Sequence, residues 1–415
     1  MAGEEVRESS LATLETPQVS RPPIRVSVLH AGGEPGYLFG LVSGLRKIED
    51  LEIEVVDSDK TLGMFQGWPN VSHYNLRGDQ DHSSRLTRKI ARVSEYYVRL
   101  LVYVSTTKAS VLHIQWENKF LLFDRTLLLL YYKLLGKRLV LTAHNVNEAA
   151  REGKENMTSH FSLWARYRIV DHIIVHSEQM KRELARDFSV RENKIAVIPH
   201  GINNMVRRRG ITREEARTAL QISMETKLLL FFGNIDRYKG VDLALNALKI
   251  LIDKDPSFQI AIVGRHKDCS DYVNELQSLI DEMKLTPYVT MRLQFIPDNE
   301  IEVYFQAADC LLLPYRRVSQ SGVPFLSFQF GLPIVATRVG SLREVVIEGE
   351  NGFTCEPGDP TQIAEKISQY FESPLYFKLA ETRVNIRKRA ERVYSWDAIG
   401  AKTCQVYNHV LGYVN

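Results

Sequence analysis

Cysteine, one-sided charge and long apolar runs are all scarce in this chain of 415 residues, and each scarcity removes a class of protein. The four cysteines, Cys269, Cys310, Cys355 and Cys404, lie far apart, with no C-x-x-C pair and no histidine at zinc-ligand spacing. That excludes a disulfide framework and a structural zinc site, and it fits a reducing compartment. Lys and Arg number 53 against 50 Asp and Glu, a formal net charge of +3. A chain so balanced lacks the basic excess of a nucleic-acid-binding protein, so no nucleic-acid partner is expected and any anion must be bound locally. With 24 Gly and 15 Pro, collagen-like and low-complexity roles also fall away. The most lipophilic stretch, Phe120 to Leu135, is interrupted by Asp124, Arg125 and Lys133. Its runs are too short for a bilayer core of about 30 Å, and it reads as a buried helix. Residues 1–23 pass through Glu4, Glu5 and Glu8 with no apolar core, so they read as a disordered tail, not a secretory signal, and the protein as cytoplasmic.

What the chain has instead is alternation. From Arg25 a short β-branched run, a loop and a helical run follow one another repeatedly. The pattern predicts strands at Arg25–His30, Glu52–Ser58, Ser110–Gln115, Arg138–Asn145, His172–Ser177 and Lys194–Pro199, then at Leu228–Gly233, Phe258–Gly264, Tyr288–Phe295, Cys310–Pro314, Ile334–Thr337 and Gly352–Cys355. Apolar residues recurring at three and four mark helices such as Leu38–Ile48, Arg85–Val104, Leu121–Leu135 and Glu178–Phe188. Such alternation builds parallel sheets covered by helices on both faces. The length is about three times the commonest domain size, so two doubly wound α/β domains are expected. Periodicity lapses between Gly201 and Lys227, at Asn203-Asn204 and Arg207-Arg208-Arg209-Gly210. A hinge there gives domains at 24–202 and 203–395, with a last helix in 396–415 expected to pack back on the first domain.

In an open parallel sheet, ligands bind beyond the carboxyl ends of the strands, where loops meet helix N-termini. The first such loop carries Gly32 and Gly33, which let backbone approach a ligand closely and equally suit a plain tight turn. Its counterpart, Gly233-Asn234-Ile235-Asp236-Arg237-Tyr238-Lys239-Gly240, sets Arg237 and Lys239 at the crevice mouth, as diphosphate ligands or as solvated charges. Ser319-Gln320-Ser321-Gly322-Val323-Pro324 offers free N–H groups and a proline for a first helical turn, an arrangement that fits an anion nest. The loop Ala336 to Glu344 faces the same crevice. His144 and His200 end strands of the first half, where histidine is either a structural group or a catalyst. Asp57-Ser58-Asp59, Asp79-Gln80-Asp81 and Asp253-Lys254-Asp255 match D-x-D but sit in polar turns or at a helix end, and no metal is assigned.

Taken in order, the glycine pair Gly32-Gly33, T-A-H-N at Thr142–Asn145, I-P-H-G at Ile198–Gly201, F-G-N-I-D-R-Y-K-G at Phe232–Gly240, I-V-G-R at Ile262–Arg265, A-A-D-C-L-L-L-P-Y at Ala307–Tyr315, G-L-P-I-V-A-T at Gly331–Thr337 and G-E-N-G-F at Gly349–Phe353 resemble the group-1, family-4 glycosyltransferases. The resemblance covers about residues 25 to 411. It implies a GT-B fold, two Rossmann-like domains facing across a cleft, with a nucleotide-diphosphate sugar as donor substrate and no separate cofactor. It also implies hexosyl transfer with retention and without a metal. Carried over by position, Lys239 binds the donor diphosphate, with Arg237 beside it because Asn234 stands where the family commonly has its arginine. Gly32 and Gly33 approach the phosphates, His144 the transferred sugar and Arg265 the nucleotide base, while Gly233, Asn234, Ser319, Gln320, Ser321, Gly322 and Val323 complete the donor-binding set.

One departure stands out. The family's two glutamates, separated by seven residues, fall at Val318 and Leu326, and the S-Q-S-G-V-P version of the loop resembles members engaged in polysaccharide assembly. The expected role is therefore transfer to a glycan or lipid-linked acceptor in cell-surface polysaccharide or glycoconjugate synthesis. The alternative is a GT-B protein that binds a sugar nucleotide or glycan without turnover. Arg85, Arg88, Lys89, Arg92 and Arg99, with Tyr96 and Tyr97 beside them, form either a solvated helix face or one that holds the first domain peripherally to an anionic membrane.

Overall fold

A computed structural model describes residues 23–79, 85–118, 120–147, 156–203, 205–266 and 270–413; the expected tail up to residue 22, and Gln80, Asp81, Asn204 and Cys269, lie outside the described residues. Among the described residues the first lobe holds seven strands: β1 (Ile24–His30), β2 (Leu51–Asp57), β3 (Val71–Asn75), β4 (Val111–Trp116), β5 (Arg138–Thr142), β6 (His172–Val175) and β7 (Ile195–Val197), in the order β3-β2-β1-β4-β5-β6-β7. The second holds six: β8 (Lys227–Phe232), β9 (Phe258–Val263), β10 (Val289–Arg292), β11 (Cys310–Leu313), β12 (Ile334–Thr337) and β13 (Gly352–Cys355), in the order β10-β9-β8-β11-β12-β13. Their ladders are parallel, as in the pairing of Val26 with Ile53 and of Leu229 with Ile260. Helices cover the faces, so strands such as β5, β8 and β11 are apolar on both sides, not alternating.

Strand order reverses between β1 and β4 in one sheet and between β8 and β11 in the other, and such reversal points open crevices at the carboxyl ends of the strands. The loops after β1 and β8 are the glycine-bearing ones. At the opposite end of the second sheet, buried Asp309 accepts from Arg217 Nη2 (2.8 Å), Arg213 Nη2 (2.6 Å) and the Leu228 N–H (2.8 Å). The start of β8 is thereby tied to the start of β11.

Two expectations need correction. Strand β3 has no counterpart in the sequence pattern, because V-S-H-Y-N is a half-exposed edge with no apolar run to announce it. The single helix expected over Leu121–Leu135 is two, Leu121–Arg125 and Leu127–Leu134, broken at Thr126 (φ −126°, ψ −88°). Nor is it simply buried: Leu128, Leu129 and Tyr132 face the core, while Leu127, Leu130 and Leu134 are exposed.

The last helix, Trp396–Leu411, lies along the first, Pro35–Leu45, so the chain leaves the second lobe and ends on the first. The approach is close enough to need glycine. A Cβ at Gly44 would stand 1.9 Å from the Trp396 carbonyl oxygen, and one at Gly400 would stand 2.7 Å from the Gly44 carbonyl carbon. In an ordinary helix interior Gly→Ala gains about 1 kcal/mol. Here overpacking against rigid backbone should reverse the sign, and we expect Gly44→Ala to lose about 1–2 kcal/mol in urea unfolding. A variant as stable as the parent would mean that the two helices do not touch at this point.

Candidate functional site

At the carboxyl end of the first sheet, four strand ends and one helix converge on a cluster of rings. Tyr37, in the first helix, is buried and meets Trp116, His144, His176, His200 and Trp396 edge-on at centroid distances of 4.7 to 5.7 Å. Trp116 stacks on His144 at 3.9 Å and 13°, and its indole fills the space where a Cβ of Gly33 would lie. Gly32, at φ +85°, lies beside the Arg77 guanidinium. Burial, reinforced by neighbouring histidines, pushes the pKa of His144 well below the ordinary histidine value, and burial brings His113 and His176 down to about 3. These rings are neutral.

In the second lobe the glycine loop brings a cation into a buried place. Asp236 caps the short turn Arg237–Lys239 through the Tyr238 N–H, and Gly240 follows in the left-handed region at φ +69°. A Cβ at Gly240 would strike the Pro314 carbonyl oxygen at 2.1 Å, so the loops after β8 and β11 are pressed together. Buried Lys239 donates through Nζ to the Tyr315 hydroxyl at 3.0 Å, with Nζ 4.5 Å from the ring centre. No carboxylate among the described residues forms an ion pair with it. Burial works against its charge, but Tyr315, Tyr238 and Asp236 outweigh that and hold its pKa above the usual lysine value. A buried, charged ammonium without an acid partner is poised for an anion.

The two lobes meet near these groups. His200 stacks on Phe325 of the helix Val323–Phe330 at 5.1 Å and 28°. Glu344 accepts from the backbone N–H groups of Glu178 and Gln179, both at 2.8 Å, and so caps the helix Glu178–Phe188 of the other lobe.

The structure brings together Gly233, Lys239 and Val323: a Cβ at Gly233 would lie 3.4 Å from Val323 Cγ2 and 3.7 Å from Lys239 Nζ. Ser321 is buried at the start of the Val323–Phe330 helix, with Gly322 exposed beside it and Gln320 holding a buried amide that has no hydrogen-bond partner among the described residues. Ser319 gives its carbonyl to the Ser341 N–H at 3.1 Å. Asn234 and Arg265 are exposed at the rim, where the Ile235 N–H donates to the Arg265 carbonyl at 2.9 Å. Arg237 departs from the expected grouping. Its guanidinium is exposed, forms a two-point ion pair with Glu275 (2.5 and 2.6 Å) and packs over Tyr272, so it faces an outer groove and not Lys239. Val318 is half-buried and Leu326 buried, so no carboxylate stands at either position. Sequence reasoning missed Arg77, Trp116, His176 and Phe325; the signal available for two of them was an aromatic or histidine at the end of a predicted strand.

Comparisons with known proteins bear on the family and the fold. A family model described as Glycosyl transferases group 1 matches residues 212–393, and one described as Glycosyltransferase Family 4 matches residues 32–204. The D-inositol 3-phosphate glycosyltransferase of Corynebacterium diphtheriae is 26% identical over 251 residues, 56% of this chain and 57% of that protein. The match therefore spans little more than half of that relative. Among solved structures, Anabaena HepE in complex with UDP superposes with a TM-score of 0.71 at 16% identity, over 93% of this chain and 100% of that one. Sucrose-phosphate synthase from Thermosynechococcus elongatus gives 0.71 at 18% identity, over 94% and 100%. At these identities the structural likeness is one of fold, and that fold is GT-B.

The neutral histidines make stability depend on pH. An unfolded histidine titrates near 6.5, whereas His113 and His176 in the fold titrate near 3, so at intermediate pH the unfolded chain binds protons that the folded one refuses. Stability from these rings is complete above about pH 6.5 and is lost as pH falls toward 3. At about 1.4 kcal/mol per pH unit per ring, we expect the urea midpoint to drop between pH 7 and pH 5 by an amount equivalent to roughly 2 kcal/mol for each of the two. Equal midpoints at both pH values would show that the rings are already charged.

Proposed function

Because the chain belongs to the group 1 glycosyltransferases, we propose that it is a retaining, metal-independent hexosyltransferase that moves a sugar from a nucleotide-diphosphate sugar to a glycan or lipid-linked acceptor in cell-surface polysaccharide or glycoconjugate synthesis. The observation that carries the donor half of this reading is the buried, unpaired ammonium of Lys239 at the reversal point of the second sheet. In the reaction, the acceptor hydroxyl oxygen bonds to the anomeric carbon as the bond from that carbon to the diphosphate breaks, and the hydroxyl proton passes to the departing phosphate oxygen. Lys239 and the backbone of Ser319–Gly322 stabilise the charge that develops on the leaving diphosphate. No protein nucleophile is needed. Since Arg237 is occupied by Glu275, Lys239 takes the cationic role without it.

We expect Lys239→Ala to lower kcat/KM by about 1.5–3 kcal/mol, roughly ten- to hundredfold or more, with the circular dichroism of the fold unchanged. Release of free UDP or GDP from a donor panel is the readout, with D-inositol 3-phosphate among the acceptors. Wild-type turnover in the variant would remove Lys239 from the donor site. Donor-induced thermal stabilisation with neither transfer nor hydrolysis in the parent would favour the non-catalytic reading.

For the acceptor half, the first lobe presents a lipid-compatible surface. Leu127, Leu130 and Leu134 recur at three and four on one helix, and Met157, Phe161 and Trp164 on the neighbouring helix Met157–Ile169; all six are exposed. Within these two helices and the turns that follow them, the acid is Asp171, and it is paired with Lys133 at 2.7 Å, while exposed Arg168 packs over Trp164 at 5.3 Å. An apolar face rimmed by tryptophan and arginine and free of exposed unpaired acids suits an anionic lipid surface. The helix Leu86–Thr106 adds less charge than its sequence promises, because Arg92 pairs with Asp79 and Arg99 with Glu95. We expect co-sedimentation with anionic vesicles at low salt, weakened at high salt and lowered by Leu130→Glu/Phe161→Glu. Failure to sediment with any vesicle would remove the membrane from the proposal.

A further inference from the structure

We propose that His176 is a positioning residue: it fixes His144 in one tautomer, whose bare Nε2 accepts a hydroxyl hydrogen from the transferred sugar. The sugar in this statement rests on the donor reading above, while the tautomer rests on hydrogen-bond logic alone.

The chain of inference starts at a main-chain carbonyl. His176 Nδ1 lies 3.0 Å from the carbonyl oxygen of Ile198, just beyond β7. A carbonyl only accepts, so Nδ1 carries the hydrogen. The ring is buried among Tyr37, His144 and His200 and is neutral, so its single hydrogen is accounted for and Nε2 is bare. That nitrogen stands 3.1 Å from His144 Nδ1. His144 must therefore donate there, and being neutral as well, it keeps no hydrogen for Nε2. His144 Nε2 is buried with no hydrogen-bond partner among the described residues. An unmet buried acceptor is a standing loss of stability, which is tolerable where a ligand supplies the donor. The ring is otherwise fully determined: Trp116 lies on its face, Tyr37 meets it edge-on, and Trp116 itself packs over Gly33. The unmet acceptor is thus part of the wall beside the first glycine loop.

Neither histidine can reverse the order, because the carbonyl at the far end has no hydrogen to give. Without His176, nothing would keep the hydrogen of His144 on Nδ1. It could move to Nε2, and a sugar hydroxyl placed to donate would then meet another donor.

The test has a readout that does not depend on turnover. Nitrogen-15 NMR of the histidine-labelled full chain should show His144 with its hydrogen on Nδ1 and Nε2 bare, and His176 likewise. In His176→Phe, which keeps a ring against Tyr37 and His144 but offers no acceptor, His144 should become a mixture of tautomers. In that variant kcat should fall about tenfold or more, while KM for the donor, set largely by the diphosphate contacts, changes by less than about threefold. His176→Gln, whose Oε1 replaces the accepting nitrogen, should return kcat to within about threefold of the parent. The proposal is overturned by a parent His144 that carries its hydrogen on Nε2, by an unchanged His144 tautomer in His176→Phe, or by equal impairment in the Phe and Gln variants. A parent chain that transfers no sugar would count against the transfer reading, and the tautomer spectrum would still decide the relay.

Discussion

The packing of one indole holds the rest in place. Trp396 follows directly on the last helix of the second lobe, yet its ring lies in the first, in space left open by Gly40 and Gly201, where added Cβ atoms would stand 2.0 and 2.4 Å from it. Its Nε1–H donates to the Ile202 carbonyl at 2.7 Å, so the insertion leaves no buried donor unmet. Tyr37 rests against this indole at 5.1 Å, and Trp116, His144, His176 and His200 in turn rest against Tyr37. The segment between the lobes and the segment after them are thereby joined at one point. The geometry around His144 thus depends on a residue some 250 positions later in the chain.

The two lobes solve opposite electrostatic problems. In the first, burial keeps several histidines uncharged, and His113 shows how such a ring is accommodated: Nδ1 pairs with the Tyr407 hydroxyl at 2.6 Å and Nε2 with the Thr142 hydroxyl at 2.8 Å. Hydroxyls can donate or accept, so they suit a neutral ring in either tautomer. In the second, a lysine stays charged although buried, helped by Tyr315 and a nearby carboxylate that does not reach ion-pair distance. Neutral hydrogen-bonding rings in one lobe and a fixed positive charge in the other are the division that the proposed reaction calls for, with the sugar on one side and the diphosphate on the other.

Much of this arrangement was legible in the chain. Parallel α/β organisation follows from apolar runs alternating with helical periodicity, and the glycine loops announce themselves by composition and by their place after β1 and β8. Lys239 could be nominated from position alone. Arg237 illustrates the limit: it lies two residues from Lys239, but in a turn capped by Asp236 neighbouring side chains diverge, and Glu275, on a different helix, captures the guanidinium. His176 was hidden for the converse reason. It reads as the polar end of a strand, and only the side-by-side ends of β5, β6 and β7 show that it lies between the Ile198 carbonyl and His144. Edge strand β3 was invisible because half-exposed pairing leaves no apolar signature.

The Glu344 carboxylate and the Trp396 indole also differ as mechanical parts. Separating the indole from Gly40 and Gly201 would open an apolar void and strand a donor, which water repairs poorly. Separating Glu344 from the Glu178 and Gln179 N–H groups exchanges each bond for one to water, at little net change. One junction is therefore costly to open and the other cheap, so strain between the lobes is released at Glu344 before it reaches the Trp396 indole.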